Sequence, residues 1–216
     1  MWQEYKAVLW DFDGVIVDTE WPIFEAWRET FRAEDQELSL EMYVKCIGSD
    51  FATWSPEKYL EELTGETYDW EAKGIERNKE IRRRLEGAAV NPGITEVWDK
   101  MKEAGLKLAV VSSSSHDWVD GWLERLDLSH YMETTVCRGD VPKIKPAPDL
   151  YQEGARQLGL NSSECLVIED SLNGLISAQE AGSDCIIVPN CITQVLEFPG
   201  AKARLNNFLD LIEPNV

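Results

Sequence analysis

The sequence predicts an α/β fold with a doubly wound parallel sheet and an inserted helical segment. Short apolar runs alternate with helical patterns over most of the chain, and turn or cap residues bound each run. Alternating strands and helices form right-handed βαβ crossovers, which place helices on both faces of a parallel sheet. The first two apolar runs lie about a hundred residues apart, far more than one crossover needs, so this interval indicates an insertion.

The predicted strands are short apolar runs with many β-branched residues. The first, Lys6–Trp10, is followed at once by the turn sequence DFDG. Runs this short and this apolar are typical of strands that are buried on both faces of a parallel sheet. The later strands are predicted at Leu106–Val111, Thr134–Cys137, Cys165–Ile168 and Cys185–Val188.

Helical patterns fill the intervals between the later strands. Glycines at 105, 159 and 182 close several of them, because glycine readily adopts the left-handed conformation that ends a helix. The predicted helices are Ile94–Ala104, His116–Leu126, Pro148–Leu158 and Leu172–Ala181.

The insertion shows helical periodicity only, from Asp18 to about Leu85. Its entry, Asp18–Thr19, suits a helix N-cap, and its exit, LEGAAVNPG at 85–93, has the Gly and Pro content of a linker. We therefore predict a core domain formed by residues 1–17 and 88–216, and a helical domain at 18–87.

Composition and charge exclude several classes of partner. The chain has 216 residues, of which 44% are hydrophobic and 28% charged, as in ordinary globular proteins. Its 40 acidic and 21 basic residues give a net charge of −19, which repels nucleic-acid phosphates and anionic membrane surfaces. We expect neither nucleic acid nor membrane as a partner. A small anionic substrate would need local cations to overcome this field.

The N-terminal sequence MWQEYKAVLWDFDG lacks a basic segment followed by an apolar run, and no apolar stretch near 18 residues occurs. The five cysteines include no CxxC pair, which argues against a disulfide framework and a structural zinc site. We expect a cytoplasmic monomer with buried, reduced thiols. The cysteines are Cys46, Cys137, Cys165, Cys185 and Cys191.

Polar residues that suit chemistry follow four of the predicted strands. In an open parallel sheet, ligands bind outside the carboxyl ends of the strands. Each of these features alone is common in turns and helix caps. Together they place carboxylates, hydroxyls and a lysine on one rim of the sheet. In chain order they are Asp11 and Asp13, Ser112–Ser115, Lys145, and Glu169 with Asp170.

This combination predicts a phosphate site with a bound cation. Carboxylates gathered on one rim repel one another, and an oxygen-preferring dication relieves that repulsion. Mg²⁺ fits best, because hard oxygen ligands without His or Cys suit it. A cation with a lysine and hydroxyl donors neutralises phosphoryl oxygens, and an Asp carboxylate can itself attack phosphorus. Gly14 permits the backbone turn that would bring Asp11 and Asp13 to one phosphate.

Four segments in order resemble the motifs of the haloacid dehalogenase superfamily. They are DFDGVIVDTE at 11–20, VVSSSS at 110–115, KIKPAPDLY at 143–151 and VIEDSLNG at 167–174. The likeness covers the whole chain and is closest to beta-phosphoglucomutase-like phosphatases. It implies a Rossmann-like core domain with an inserted small α-helical cap domain.

The resemblance also implies roles for individual residues. Asp11 would be the nucleophile, and Asp13 the general acid and base. The phosphoryl group would be held by Ser112, Ser113 and Lys145. The Mg²⁺ ligands would be Asp11, the Asp13 carbonyl and Asp170, with Glu169 a direct ligand or just behind them.

The sequence departs from beta-phosphoglucomutases in the insertion. Those enzymes carry a histidine and a pair of basic residues where this chain has Ile23, Ile47 and Phe51, the last two flanking Gly48. We therefore predict a Mg²⁺-dependent phosphatase acting on a small phosphorylated metabolite, a sugar phosphate or a phosphoglycolate-like ester. A phosphomutase and a non-catalytic metal-binding protein on the same fold are the alternatives.

The sequence is compatible with two roles for each of three further features. Four tryptophans in the insertion could stack on a sugar ring or pack in a core. The run EIRRRLE at 80–86 could bind a second phosphate or form a solvated helix face with ion pairs. Asn173 could orient the helix after Asp170 or be an exposed helical residue. The tryptophans are Trp21, Trp27, Trp54 and Trp70.

Overall fold

The computed structural model describes residues 1–47 and 54–212. The strands are β1 (Ala7–Trp10), β2 (Lys107–Ser115), β3 (Thr134–Arg138), β4 (Cys165–Glu169), β5 (Asp184–Ile187) and β6 (Ala203–Arg204). They form one sheet in the order β3-β2-β1-β4-β5-β6, and every neighbouring pair is parallel. The predicted doubly wound α/β fold is confirmed.

Helices occupy both the insertion and the crossovers. Between β1 and β2 lie α1 (Glu20–Arg32), α2 (Leu40–Tyr43), α3 (Pro56–Thr64), α4 (Trp70–Arg84) and α5 (Ile94–Glu103). The later crossovers contain α6 (His116–Arg125), α7 (Asp149–Gln157) and α8 (Leu172–Ala181).

The sheet is buried on both faces, as the continuous apolar runs predicted. One face packs Trp10 of β1 against Trp98 of α5, with their ring centroids 5.7 Å apart. The other face packs Leu9 of β1 against α7, including Tyr151. Because every residue of β1 is buried, this strand fixes the centre of the fold and the position of whatever follows it.

The helices of the insertion have a hydrophobic cluster of their own, which we call the insertion cluster. It includes Phe24, Phe31 and Leu60. Ile192, from the loop after β5, is fully buried within it. The amide of Asn173, at the start of α8, donates to the carbonyl of Ile47 at 2.7 Å. The insertion and the rest of the chain are thus in contact through packed and hydrogen-bonded residues as well as through the two chain connections. The division into domains between residues 17 and 18 and between residues 87 and 88 stays a prediction.

The structure shows how most of the tryptophans and two of the arginines in the insertion are packed. Trp27 is buried in the insertion cluster, Trp54 and Trp70 pack against it, and Trp21 is exposed. In the arginine run, Arg83 and Arg84 both pair with Glu80, at 2.6 and 2.7 Å. Trp27, Trp54 and Trp70 thus belong to the packing of the insertion, and Arg83 and Arg84 belong to an ion-paired helix surface.

Strand β2 runs to Ser115, beyond the predicted end at Val111. The serine run stays extended because pairing with β3 resumes at Ser115 and Arg138 after an irregularity in register. The sixth strand was not predicted, since β6 has only the residues Ala203–Arg204. A run that short carries no periodicity to detect.

Thr19 is the N-cap residue of α1, as predicted, but its side chain does not cap the helix. Its hydroxyl donates instead to Asp13 at 2.8 Å. The helix ends behave as predicted, with Gly105, Gly159 and Gly182 at φ values of 83°, 71° and 87°.

All five cysteines are free, and four of them are buried. The expectation of burial is wrong for Cys191, which is exposed because it lies in the loop that leaves β5. Among the described helices, none has the length and apolar character that crossing a bilayer requires.

Candidate active site

The candidate site lies at the carboxyl ends of the three central strands. Trp10, the last residue of β1, is level with Val110 of β2 and Ile168 of β4. The residues that follow these positions therefore meet at one edge of the sheet. Asp11 and Asp170 are both buried there.

Lys145 lies at the centre of this group, only 1% exposed. Its ammonium group donates to the carboxylate of Asp11, to Oε1 of Glu169 at 2.8 Å and to the carbonyl of Val111 at 2.9 Å. Burial lowers the pKa of Lys145, but the two carboxylates outweigh it and hold that pKa above its ordinary value. The lysine is therefore a fixed positive charge beside Asp11.

Hydrogen-bond donors surround the carboxylate of Glu169. Its Oε1 accepts from Lys145 and from the hydroxyl of Tyr151, each at 2.8 Å. Its Oε2 accepts from the backbone N–H of Asp170 at 3.0 Å, and from the N–H and hydroxyl of Ser171 at 3.1 and 3.0 Å. Both oxygens of Glu169 are thus engaged, and Oε1 helps to orient Lys145. Neither Tyr151 nor Ser171 was predicted.

Two glycines permit close approach in this group. A Cβ atom on Gly174 would lie 1.8 Å from Oε1 of Glu169, so the first turn of α8 reaches the carboxylate only because this residue lacks a side chain. Gly14 has φ of +83°, and its Cβ would lie 2.6 Å from Oδ2 of Asp170. The predicted need for glycine at 14 is confirmed. Asn190, which sequence reasoning missed, donates to the same Oδ2 at 2.6 Å.

Asp13 accepts hydrogen bonds from several elements. Besides Thr19, its Oδ1 accepts from the indole N–H of Trp118 at 2.8 Å. Its Oδ2 accepts from the hydroxyl of Ser114 at 2.6 Å and from that of Ser112 at 3.5 Å. The start of α1, the serine run and α6 together fix this carboxylate. Trp118 gave no signal in the sequence, because its distance from residue 13 depends on how α6 packs.

The donor set fits a divalent cation. One carboxylate oxygen from each of Asp11, Glu169 and Asp170 lies within 4.8 Å of the other two. Burial, with the nearby carboxylates, raises the pKa of Asp170 well above its ordinary value and that of Asp11 to about 8. Lys145 opposes both shifts without cancelling them. This excess of negative charge is what a bound dication would relieve.

A cavity of about 190 Å³ lies over these residues. Ser113 lines it, and its carbonyl accepts from Arg138 Nε at 2.9 Å. The insertion contributes further wall residues, including Ile23 and Ile47, whereas Gly48 and Phe51 lie outside the described residues. The other wall residues from the insertion are Glu20, Tyr43 and Cys46.

Of these, Glu20 was not singled out by the sequence. Burial and the carboxylates of Asp13 and Asp11 raise its pKa well above the ordinary value. None of the four tryptophans considered for sugar stacking appears among the described residues that line the cavity.

The sequence model of the family described as "Haloacid dehalogenase-like hydrolase" matches residues 8–188. YhcW of Bacillus subtilis (strain 168), which is named as a phosphatase, is 37% identical over 206 residues, 95% of this chain and 93% of its own. Fructose-1-phosphate phosphatase YqaB of Escherichia coli (strain K12) is 28% identical, covering 87% of this chain and 98% of its own.

A solved structure gives the same fold. It is a variant of CbbY from Rhodobacter sphaeroides in complex with xylulose 1,5-bisphosphate, with a TM-score of 0.80 and 26% identity over 96% of each chain. The fold, the site and these matches define one class: the chain belongs to the haloacid dehalogenase-like hydrolase family. Within that family it is a phosphatase, which confirms the predicted enzyme class and removes the non-catalytic alternative.

Proposed function

We propose that the chain is a Mg²⁺-dependent phosphatase that hydrolyses a small phosphate monoester through an aspartyl phosphate on Asp11. The observation that carries this proposal is the position of Lys145, buried between Asp11 and Glu169 at the ends of the central strands. A fixed ammonium beside an Asp carboxylate suits a nucleophile that must approach an anionic phosphoryl group.

Asp11, Asp170 and the backbone carbonyl of Asp13 would hold the Mg²⁺. Glu169 would lie behind them, since protein donors already engage both of its oxygens. Mg²⁺ supplies positive charge to the phosphoryl oxygens and orients the ester. Asn190 supports this arrangement, because its hydrogen bond to Asp170 fixes a carboxylate that would otherwise be free to rotate.

The protein's own residues would carry the remaining chemistry. Asp11 attacks phosphorus in line with the ester oxygen, and Ser112, Ser113 and Lys145 bind the phosphoryl oxygens. Asp13 donates a proton to the departing alcohol and later removes one from the water that attacks the aspartyl phosphate. The donors from Thr19 and Trp118 stabilise the Asp13 anion between these two steps.

The substrate is proposed to be a small phosphorylated metabolite, a sugar phosphate or a phosphoglycolate-like ester. The names of two relatives support a sugar phosphate, since one is a fructose-1-phosphate phosphatase and another was solved with xylulose 1,5-bisphosphate. We propose that residues 18–87 act as a cap that covers the cavity and excludes water from the reacting centre.

The direct test is release of inorganic phosphate from a panel of phosphate monoesters, with MgCl₂ and with EDTA. We expect turnover with Mg²⁺ and its loss with EDTA, and recovery when Mg²⁺ is added back. Turnover that is unchanged in EDTA would contradict the metal assignment. Absence of turnover for every ester would contradict the proposed substrate class.

A further inference from the structure

We propose that His116 is a positioning residue for Asp13. In its doubly protonated form it joins the start of α6 to the loop after β3, and this junction holds the chain segment that donates to both oxygens of the Asp13 carboxylate. The inference rests on the proposed phosphatase activity, in which Asp13 transfers protons. It assigns a role to a residue that is not among the described residues lining the cavity.

The imidazole ring of His116 lies between two carboxylates. Its Nδ1 is 2.8 Å from Oδ2 of Asp120, one turn further along α6, and its Nε2 is 2.8 Å from Oδ2 of Asp140, which follows β3. An ionised carboxylate has no proton to donate, so both ring nitrogens must be the donors. Only the imidazolium carries a proton on both nitrogens. The geometry therefore requires a cationic ring that bonds on both sides.

Both carboxylates are themselves anchored to β3. Oδ1 of Asp120 accepts from the hydroxyl of Thr135 at 2.9 Å, and Oδ2 of Asp140 accepts from the backbone N–H of Cys137 at 2.9 Å. The partners of the ring are therefore fixed by a strand of the central sheet rather than held only by the ring. Protonated His116 thus ties the first turn of α6 to a rigid part of the fold.

His116 lies midway between two donors to Asp13. Ser114, two residues before it, donates to Oδ2 of Asp13 at 2.6 Å, and Trp118, two residues after it, donates to Oδ1 at 2.8 Å. This segment of five residues therefore contacts Asp13 from both ends and Asp140 from its middle. Because covalent geometry leaves little slack over two residues, a displacement of His116 would move at least one of the donors.

Within the described part of the chain, the ring bonds to no charged group besides the two aspartates. Asp117, its neighbour on α6, lines a second cleft, between α4 and α6, and Arg138 of β3 donates to a backbone carbonyl of the serine run. Burial lowers the pKa of His116, but the hydrogen bonds with Asp140 and Asp120 outweigh it and hold that pKa above its ordinary value. The junction is present below the pKa of the ring and is lost as pH rises through it.

The test compares two variants of His116 with the wild type on fructose 1-phosphate. His116→Gln removes the charge, whereas His116→Arg keeps a cation with donors for both carboxylates and does not titrate below about pH 12. At about pH 6 the wild-type kcat should exceed that of His116→Gln about fivefold, the scale of a partly exposed ion pair, with little change in KM.

The ratio of the two kcat values should approach one at about pH 9, where the wild-type ring is neutral. A ratio cancels the pH dependence that both proteins share through Asp13 and the other groups of the site. The ratio of His116→Arg to His116→Gln should stay at about fivefold over the whole range, because the arginine keeps its charge. With p-nitrophenyl phosphate all these ratios should be smaller, since nitrophenolate leaves without protonation.

Nuclear magnetic resonance gives a readout that does not depend on turnover. The chain has two histidines, so the ring C–H resonances of His116 and His130 are easily distinguished. The indole N–H resonance of Trp118, assigned by its loss in Trp118→Phe, should shift with the same midpoint as His116. In His116→Arg it should stay constant over that range. Asp140→Asn should lower the midpoint, because it removes a carboxylate that favours the charged ring.

His130→Gln is the matched control. His130 packs against Tyr131, with ring centroids 4.3 Å apart, and it is not among the described residues that line the cavity. Its kcat should follow that of the wild type at every pH. Circular dichroism checks that each variant is folded.

Three results would each overturn the inference. They are a ratio of wild type to His116→Gln that does not change with pH, a His116→Arg variant that loses activity with pH as the wild type does, and an indole resonance of Trp118 that ignores the titration of His116. If the wild type hydrolyses these esters and one of these results is found, the inference alone fails. If the wild type hydrolyses no ester, the proposed function fails, and the two resonances still decide whether His116 controls the donor to Asp13.

Discussion

The indole N–H of Trp118 donates to Oδ1 of Asp13 at 2.8 Å and so ties helix α6 to the turn after β1. Thr19 donates to the same oxygen at 2.8 Å, from the start of α1. One carboxylate oxygen is thus fixed from two elements that are far apart in sequence. If Asp13 transfers protons as proposed, these donors set where it stands relative to the leaving group.

Trp118→Phe should reduce catalysis selectively, because it removes the N–H donor and keeps the ring. We expect kcat to fall about tenfold for esters of simple alcohols, the effect of one hydrogen bond to a charged group, with little change in KM. For p-nitrophenyl phosphate the fall should be smaller, since nitrophenolate leaves without protonation. Steady-state kinetics on both esters measure this difference. Equal losses would indicate general damage to the site.

Asp11→Asn should abolish turnover, because the amide keeps the shape and loses the attacking charge. We expect a loss of about 10⁴-fold or more, as for removal of other catalytic nucleophiles. Circular dichroism should show an unchanged fold. Activity within about tenfold of the wild type would refute the assignment of Asp11 as nucleophile.

Asp170→Ala should weaken metal binding and leave the nucleophile in place. Activity should therefore be low at ordinary Mg²⁺ and partly restored at high Mg²⁺. A titration of rate against MgCl₂ for the wild type and the variant measures the shift in apparent affinity. If the Mg²⁺ dependence of the variant matches that of the wild type, Asp170 is not a ligand.

The pH dependence of stability should reveal Asp11 in the metal-free protein. Burial raises its pKa to about 8 from an ordinary 3.8. A group with a raised pKa contributes stability that is full below its unfolded value and lost as pH rises through its folded value. In EDTA, Tm should therefore fall as pH rises from about 4 to about 8. Asp11→Asn should show a shallower fall, and an identical slope would contradict this cause.

Water, rather than a sugar hydroxyl, should discharge the phosphorylated enzyme. The described residues that line the cavity include no histidine, and residues 48–53 contain neither His nor Lys nor Arg, so we identify no group that would suppress hydrolysis. Trapped phospho-enzyme should release inorganic phosphate, and added glucose phosphates should not divert it to a bisphosphate. Formation of glucose 1,6-bisphosphate in a product analysis would favour the phosphomutase alternative.

The parts of the site that follow strand ends could be predicted from the sequence. Parallel strands end at one edge of a sheet, so the order of apolar runs was enough to bring Asp11, Ser112 and Asp170 together. Lys145 follows from the same argument, because its loop leaves a neighbouring strand. The parallel arrangement of the strands was the only tertiary information that these predictions required.

The remaining contacts depend on how helices pack and could not be predicted. Trp118 reaches Asp13 only because α6 lies beside the serine run, and Asn190 reaches Asp170 from the loop after β5. Tyr151 points from α7 to Glu169. Glu20 lies in the first turn of α1, where acidic residues are common, so its position in the sequence gave no sign of a special role. It is buried only because of the way the insertion packs.

Asn173 and Asn190 connect the insertion to the proposed metal ligand Asp170, and this connection bears on how ligands and cations would bind. The side chain of Asn190 donates a hydrogen bond to Asp170 and accepts one from the N–H of Ile192, which is buried among the insertion helices. Asn173, three residues after Asp170, donates a hydrogen bond to the carbonyl of Ile47 in the cavity wall. Two short paths, each made of a few covalent bonds and a hydrogen bond, thus lead from the carboxylate of Asp170 to the insertion, and one of them ends at the cavity wall. If a ligand on the wall and a cation at Asp170 favour the same arrangement of these contacts, each would strengthen the binding of the other by an equal factor.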